Sequence, residues 1–197
     1  WWLGSEAGNA IADVLFGDYN PSGKLTMTFP LSVGQVPIYY SHLNTGRPAT
    51  DDVDRFYRSA YIDLSIYPRY EFGYGLSYTG FEYSNLMIDR KMIKTDEKIT
   101  VSVTIKNTGR YDGEEIVQLY LRDRVASISR PVKELKDFTK IFLKAGESKT
   151  VTFIIDKEKL SFYNNDLEWV AEPGEFDLMI GASSRDIRLT ENFVLTE

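Results

Sequence analysis

The feature that most limits what this chain can fold into is the run Ile99, Val101, Val103 and Ile105, alternating with Thr100, Ser102 and Thr104. A period of two puts four aliphatic side chains on one face and three hydroxyls on the other, which describes a half-buried strand and not a helix. The pattern then repeats. From about Phe81 onward, further short apolar runs at 116–121, 138–143, 150–155, 169–171, 176–180 and 187–194 are divided by Asn107-Thr108-Gly109, Ala145-Gly146-Glu147, Asn164-Asn165-Asp166 and Pro173-Gly174-Glu175. About seven strands in roughly 115 residues predict a fibronectin type III-like (immunoglobulin-like) β-sandwich, so the chain is expected to be mainly β.

The first thirty residues read differently. Ala7, Ala10, Ile11, Val14 and Leu15 recur at the spacing of an amphipathic helix, with Ser5 as the expected N-cap and Gly17 at the left-handed position that ends it. Asn20-Pro21-Ser22-Gly23 fits a type I turn, and Leu25, Met27 and Phe29 alternate with Thr26 and Thr28 before Pro30, predicting a strand over 24–29. A single helix–strand unit of this kind, like the last step of a wound α/β sheet, cannot bury its own apolar face. Ile11, Val14, Leu15 and Leu25 are therefore expected to be exposed in the isolated chain, with self-association or a frayed N-terminus as the consequence. Trp1-Trp2 in place of an initiator Met suggests a piece of a longer chain.

Between these parts, residues 31–76 hold no sustained period, yet carry Tyr39, Tyr40, Phe56, Tyr57, Tyr61, Tyr67, Tyr70, Phe72 and Tyr74. So many rings supply enough apolar area to offset ordering entropy, which predicts an ordered connection lying across other surfaces. Asp51-Asp52-Val53-Asp54 is its expected mobile tip.

Composition removes several kinds of function. None of the 197 residues is a cysteine, which excludes disulfides, thiolate metal sites and a cysteine nucleophile. A net charge of −6 leaves no basic stripe to neutralise phosphates or an anionic membrane surface, so neither nucleic acid nor membrane is an expected partner. The single histidine, His42, has no nucleophile motif beside it and reads as a hydrogen-bonded loop imidazole. Asp51, Asp52 and Asp54 lack the Gly-hinged spacing and terminal Glu of a calcium loop, and no metal or cofactor is expected. Gly4-Ser5-Glu6-Ala7-Gly8 has neither a Lys-Ser/Thr ending nor G-x-G-x-x-G, so it reads as a helix start with close packing. The residues by themselves leave both a truncated enzyme and a stand-alone carbohydrate-binding or spacer β-sandwich module open, and the helix–strand unit favours the former.

Four stretches carry a resemblance. Gly4-Ser5-Glu6-Ala7-Gly8-Asn9-Ala10-Ile11-Ala12-Asp13-Val14-Leu15-Phe16-Gly17-Asp18-Tyr19-Asn20-Pro21-Ser22-Gly23-Lys24-Leu25 resembles the end of the α/β sandwich domain of glycoside hydrolase family 3 enzymes, and Phe72-Gly73-Tyr74-Gly75-Leu76-Ser77-Tyr78-Thr79 resembles the junction into their C-terminal domain. Leu119-Tyr120, Ser129-Arg130-Pro131-Val132-Lys133-Glu134-Leu135-Lys136-Asp137-Phe138 and Lys144-Ala145-Gly146-Glu147-Ser148 are similar to that family's fibronectin type III-like domain. The tract from Val33-Gly34-Gln35-Val36-Pro37 to Gly46-Arg47-Pro48 resembles the periplasmic β-glucosidase branch.

The resemblance implies three parts: 1–35, the end of the α/β sandwich domain; 36–80, the connecting tract; and 81–197, the fibronectin type III-like domain. It implies a parent enzyme that hydrolyses β-glucosides with retention, through an Asp nucleophile and a Glu acid/base that both belong to upstream domains. No catalytic residue is then expected in this chain. The implied partners are the remaining catalytic domains, a β-glucoside or oligosaccharide substrate and a second copy in a homodimer, and the implied location is periplasmic or secreted. Within the connecting tract, Arg47, Arg55, Phe56, Tyr57, Arg58 and Tyr61 form an Arg-aromatic cluster suited to edging the outer subsites of an active site, because sugars stack their C–H faces on rings while polar side chains bond their hydroxyls. Docking onto other domains is the competing role for the same cluster.

Overall fold

The computed structural model describes residues 3–49 and 57–197. Helix α1 (Ala7–Phe16) and a 3-10 turn at Val33–Gln35 precede ten strands: β1 (Phe81–Ile88), β2 (Met92–Lys94), β3 (Ile99–Asn107), β4 (Gly113–Asp123), β5 (Glu134–Leu143), β6 (Ser148–Ile155), β7 (Phe162–Tyr163), β8 (Trp169–Val170), β9 (Gly174–Gly181) and β10 (Ile187–Thr196), with α2 (Lys157–Leu160) between β6 and β7. Among the described residues, no helix is long and apolar enough to cross a membrane.

The strands form a three-stranded sheet ordered β1-β3-β6, a five-stranded sheet ordered β2-β10-β9-β4-β5 and the small pair β7-β8. Pairing is antiparallel except between β2 and β10. The alternation in β3 does what its period requires. Ile99, Val101, Val103 and Ile105 are fully buried against Val117, Leu119, Leu178, Ile180, Phe153 and Phe193, so the two sheets share one core. Phe176 and Phe193 stack inside it at 5.3 Å between ring centres. The sandwich anticipated from the sequence is present, and β1 explains why its first strand gave no clear signal: the pairing with β3 shifts register between Ser84 and Met87, where Asn85 has φ 52°, so the alternation breaks.

Strand β4 is buried on both faces from Val117 to Leu121. Its inner face belongs to the core, while its outer face carries Gln118 and Tyr120 and is roofed by the aromatic tract. Tyr40 stacks on Phe72 with ring centres 4.3 Å apart and meets Tyr120 edge-on at 5.9 Å. Tyr120 donates its hydroxyl proton to Gln118 Oε1 at 2.5 Å, and Gln118 Nε2 donates to the Gly73 carbonyl at 3.1 Å and to the Ala182 carbonyl at 2.7 Å. The Ser184 amide donates to the Phe72 carbonyl, the Ser183 hydroxyl to Glu71, and the Leu135 amide to the Tyr40 hydroxyl. Asn107 closes the far end of the tract, accepting from the Thr79 hydroxyl at 2.6 Å and donating to the Leu143 and Tyr111 carbonyls.

The first thirty residues hang on this tract. The strand expected over 24–29 is not a regular strand. Leu25 and Phe29 instead bond to residues 70–74 through Leu25 N to Tyr74 O, Gly73 N to Leu25 O and Phe29 N to Tyr70 O. Among the described residues its backbone partner is the irregular stretch 70–74, and the pairing amounts to an isolated bridge at Phe29 and Tyr70. The turn expected at 20–23 is also replaced by irregular backbone, because the Asn20 side chain is used for long-range bonds: it accepts from the Ser77 hydroxyl and Tyr78 amide and donates to the Asp112 carbonyl. Helix α1 begins after Glu6 with no side-chain cap, so Ser5 does not serve as N-cap, whereas Gly17 ends the helix at φ 89° as expected. No α1 residue is buried; Ile11 is 47% and Leu15 70% exposed, while Val14 and Leu25 are half-buried.

Two acidic residues of β4 fasten this segment to the sandwich. Lys24 forms a 2.9 Å ion pair with Glu115, both side chains being largely buried. Glu114 takes the Lys140 ammonium at 2.6 Å and the Ser22 and Tyr19 hydroxyls at 3.1 Å each. The Lys140 bond first, then those from Ser22 and Tyr19, hold the Glu114 carboxyl below the usual range against a smaller opposing effect of burial. A depressed folded-state pKa gives stability that is complete above the unfolded value and lost as pH falls through the folded one. Acid titration of Glu114→Gln should therefore show less loss of stability than the unaltered chain as pH drops below the ordinary glutamate range, with the two converging once both states are protonated.

Gly73 is a tight backbone position where the tract crosses β4. At φ 80°, a Cβ there would lie 2.2 Å from Gln118 Oε1. Gly146, at φ 79°, has open space around it. In denaturant unfolding Gly146→Ala should cost about 1 kcal/mol from backbone strain alone. Gly73→Ala should cost about 2–4 kcal/mol, because displacing Gln118 also breaks its hydrogen bonds.

Candidate functional site

Three members of the Arg-aromatic cluster, Arg47, Tyr57 and Arg58, lie at a neck in the connecting tract where residues 47–48 meet residues 58–59. Its two arms close on each other: the Ser59 amide donates to the Arg47 carbonyl at 2.8 Å, Pro48 and Ser59 form a parallel bridge, and Arg58 Nη1 reaches the Pro48 carbonyl at 3.5 Å. Arg47, Tyr57 and Arg58 are thereby gathered at one place. Tyr57 has φ 60° and is 87% exposed, so its ring is open to solvent next to Arg58 in the chain and close to the backbone of Arg47. That combination offers stacking to a sugar's C–H face and charged donors to its hydroxyls.

Tyr61 is turned the other way. Its hydroxyl donates to the Gln35 carbonyl at 3.1 Å, and Gln35 is 1% exposed, accepting from the Leu31 amide and donating to the Ser65 and Tyr67 carbonyls. This network fixes residues 31–35 to 61–67, a structural duty. Arg55 and Phe56, together with Asp51, Asp52 and Asp54, lie outside the described residues. His42 Nδ1 lies 3.1 Å from the Leu43 carbonyl in an exposed position, and its own carbonyl accepts from the Val132 amide, which matches a loop imidazole.

Sequence reasoning passed over a second locality, where the connection from β4 to β5 meets Asn44. Asp123 and Arg130 are largely buried there, on a recess of about 380 Å³. Burial pushes the Asp123 carboxyl up, opposed by Arg130 and by the Val125 amide. Asp123 sits in no apolar period or motif, and Arg130 belongs to the stretch 129–138 that carries the family resemblance without being marked there as a site residue; their burial is what singles them out.

Comparison with known proteins accounts for both ends of this architecture. The model of the glycosyl hydrolase family 3 C-terminal domain matches residues 1–78, and that of the fibronectin type III-like domain matches residues 115–184. The chain belongs to glycoside hydrolase family 3. It is 54% identical over 188 residues to a periplasmic beta-glucosidase of Salmonella typhimurium, covering 95% of this chain and 25% of that protein. It is 45% identical over 185 residues to a beta-xylosidase of Formosa agariphila, covering 94% of this chain and 25% of that one. A beta-glucosidase from Listeria innocua solved with glucose superposes with a TM-score of 0.93 at 49% identity, covering 100% of this chain and 27% of the other. The chain thus spans about a quarter of the length of the relatives it matches, and it corresponds to the C-terminal portion of the family 3 architecture.

The contrasting placements of Tyr57 and Tyr61 separate a surface ring from a structural one. Tyr61→Phe should lower thermal stability by about 0.5–1.5 kcal/mol through the lost bond to Gln35. Tyr57→Ala should stay within about 0.5 kcal/mol of the unaltered chain.

Proposed function

We propose that this chain is the non-catalytic C-terminal portion of a retaining β-glucosidase, with the nucleophilic Asp and the acid/base Glu supplied by upstream domains. The observation that carries this reading is the continuous match of nearly the whole chain, in order, to about a quarter of proteins named as β-glucosidases. Periplasmic placement follows from the name of the Salmonella relative. In this reading residues 1–35 complete the α/β domain, 36–80 connect, and 81–197 form the terminal sandwich, which acts as a platform for docking the catalytic domains. The open apolar surface of Ile11, Leu15 and Phe16 suits coverage by upstream chain.

The neck residues Arg47, Tyr57 and Arg58, with Arg55, are proposed to edge the outer subsites of the parent's active site or of a dimer mate's. Tyr61 supports them through Gln35. A stand-alone carbohydrate-binding or spacer module is the second reading, favoured by the sandwich alone; residues 1–30 argue against it, because a module has no use for a helix whose apolar face is bare.

The test compares the chain with a version extended upstream through the missing domains. Nitrophenyl β-glucoside should be hydrolysed by the long form only; turnover by the 197-residue chain that survives repurification would refute the assignment. In the long form, Tyr57→Ala with Arg58→Ala should lower kcat/KM for cello-oligosaccharides about five- to tenfold and leave the aryl glucoside within about twofold. Equal losses on both substrates would mean docking alone.

A further inference from the structure

We propose that the recess between Asn44 and the β4–β5 connection is a binding site for a neutral polyhydroxyl ligand, with Asp123 and Arg130 reading one pair of hydroxyls. Both side chains are held in place and yet incomplete. Arg130 lies over the Phe162 ring at 4.1 Å and bonds Glu134 through Nη2 at 2.6 Å, which leaves Nη1 buried with no partner. Asp123 is 8% exposed, and its Oδ2 is likewise buried and unpartnered. A buried donor and a buried acceptor left unmade on two residues of one recess cost stability, which points to an occupant that would satisfy them.

The chemistry of the occupant follows from what surrounds the pair. One donor and one acceptor, formally cancelling in charge, match hydroxyl groups, each of which both gives and takes a hydrogen bond. An anion would face Asp123, Glu134 and Glu172, and a cation would face the Arg130 guanidinium together with Arg122 and Arg124. Ser127 and Ser129 add hydroxyls to the lining and Asn44 adds an amide. A volume of about 380 Å³ accommodates one or two sugar rings. The two unpartnered atoms are closed to solvent, and residues 125–129 line the recess, with Val125 78% exposed and Ser127 tied to Glu172 through both its amide and its hydroxyl. Ligand binding therefore goes with a shift of residues 125–129.

This site shares no residue with the neck and does not depend on the activity of a parent enzyme. The experiment is titration of the isotopically labelled full chain with cellobiose, reading backbone amide shifts, with sodium sulfate as the anionic control. Saturable shifts confined to Asn44 and residues 123–130 are expected. Arg130→Lys, which removes the guanidinium fork, and Ser129→Trp, which fills the recess while leaving the pair intact, should each weaken binding about tenfold or more. Should Ser129→Trp fail to fold, the Arg130→Lys result decides. Absence of saturable shifts would mean that water alone fills the gap and would overturn the proposal. Saturation by sulfate in place of cellobiose would make it an anion site, and cellobiose shifts at residues 57–61 in place of 123–130 would assign binding to the neck; either overturns the proposal too.

Discussion

Everything outside the sandwich depends on the outer face of β4. A strand in an antiparallel sheet ordinarily shows one face to water, but here Gln118 and Tyr120 occupy the outward positions and are buried beneath Tyr40, Phe72 and Gly73. Burying an amide and a phenol is tolerable only when their polar atoms are satisfied. Tyr120 donates to Gln118, and Gln118 donates to two carbonyls, one in the tract and one in the sandwich. The bond network fixes the register of the tract, and the aromatic contacts supply the area that keeps it there.

The consequence is a hierarchy of attachment. The tract is held by β4, β5 and the 182–184 turn; residues 20–29 are held by the tract and by Glu114 and Glu115; helix α1 is held mainly through its neighbours, with the Tyr78 hydroxyl reaching the Val14 carbonyl. The last level is a helix with no buried side chain. Such a hierarchy suits a C-terminal portion whose sandwich is complete in itself while its N-terminal edge is finished by the rest of a larger enzyme.

Much of this fold could be read from the residues, and the exceptions have a common cause. Strand β3 was legible because its burial is one-sided, so the alternation of Ile99 through Ile105 survives in the sequence. Residues 116–121 read as a strand, but nothing local says that Gln118 and Tyr120 face a second layer. The strand expected at 24–29 failed because alternation marks a capacity to pair, and its neighbour at 70–74 is irregular. The cluster at Arg47, Tyr57 and Arg58 was visible as composition, whereas the inward commitment of Tyr61 to Gln35, 26 residues away, was not. Asp123 gave no signal, and Arg130 was legible only as part of the 129–138 stretch, since what marks the pair is unmet hydrogen-bonding capacity and that exists only in three dimensions.

The central claim is that the tract and the sandwich form one cooperative unit through the outer face of β4. Native-state hydrogen exchange tests it most directly, by comparing the Gly73 amide, bonded to the Leu25 carbonyl, and the Ser184 amide, bonded to the Phe72 carbonyl, with the Val103 amide in the core. The account predicts that Gly73 and Ser184 open with nearly the same free energy as Val103, as members of one global unfolding unit. Exchange of both at rates orders of magnitude faster, with Val103 still protected, would show a tract that merely rests on the sandwich and would contradict it.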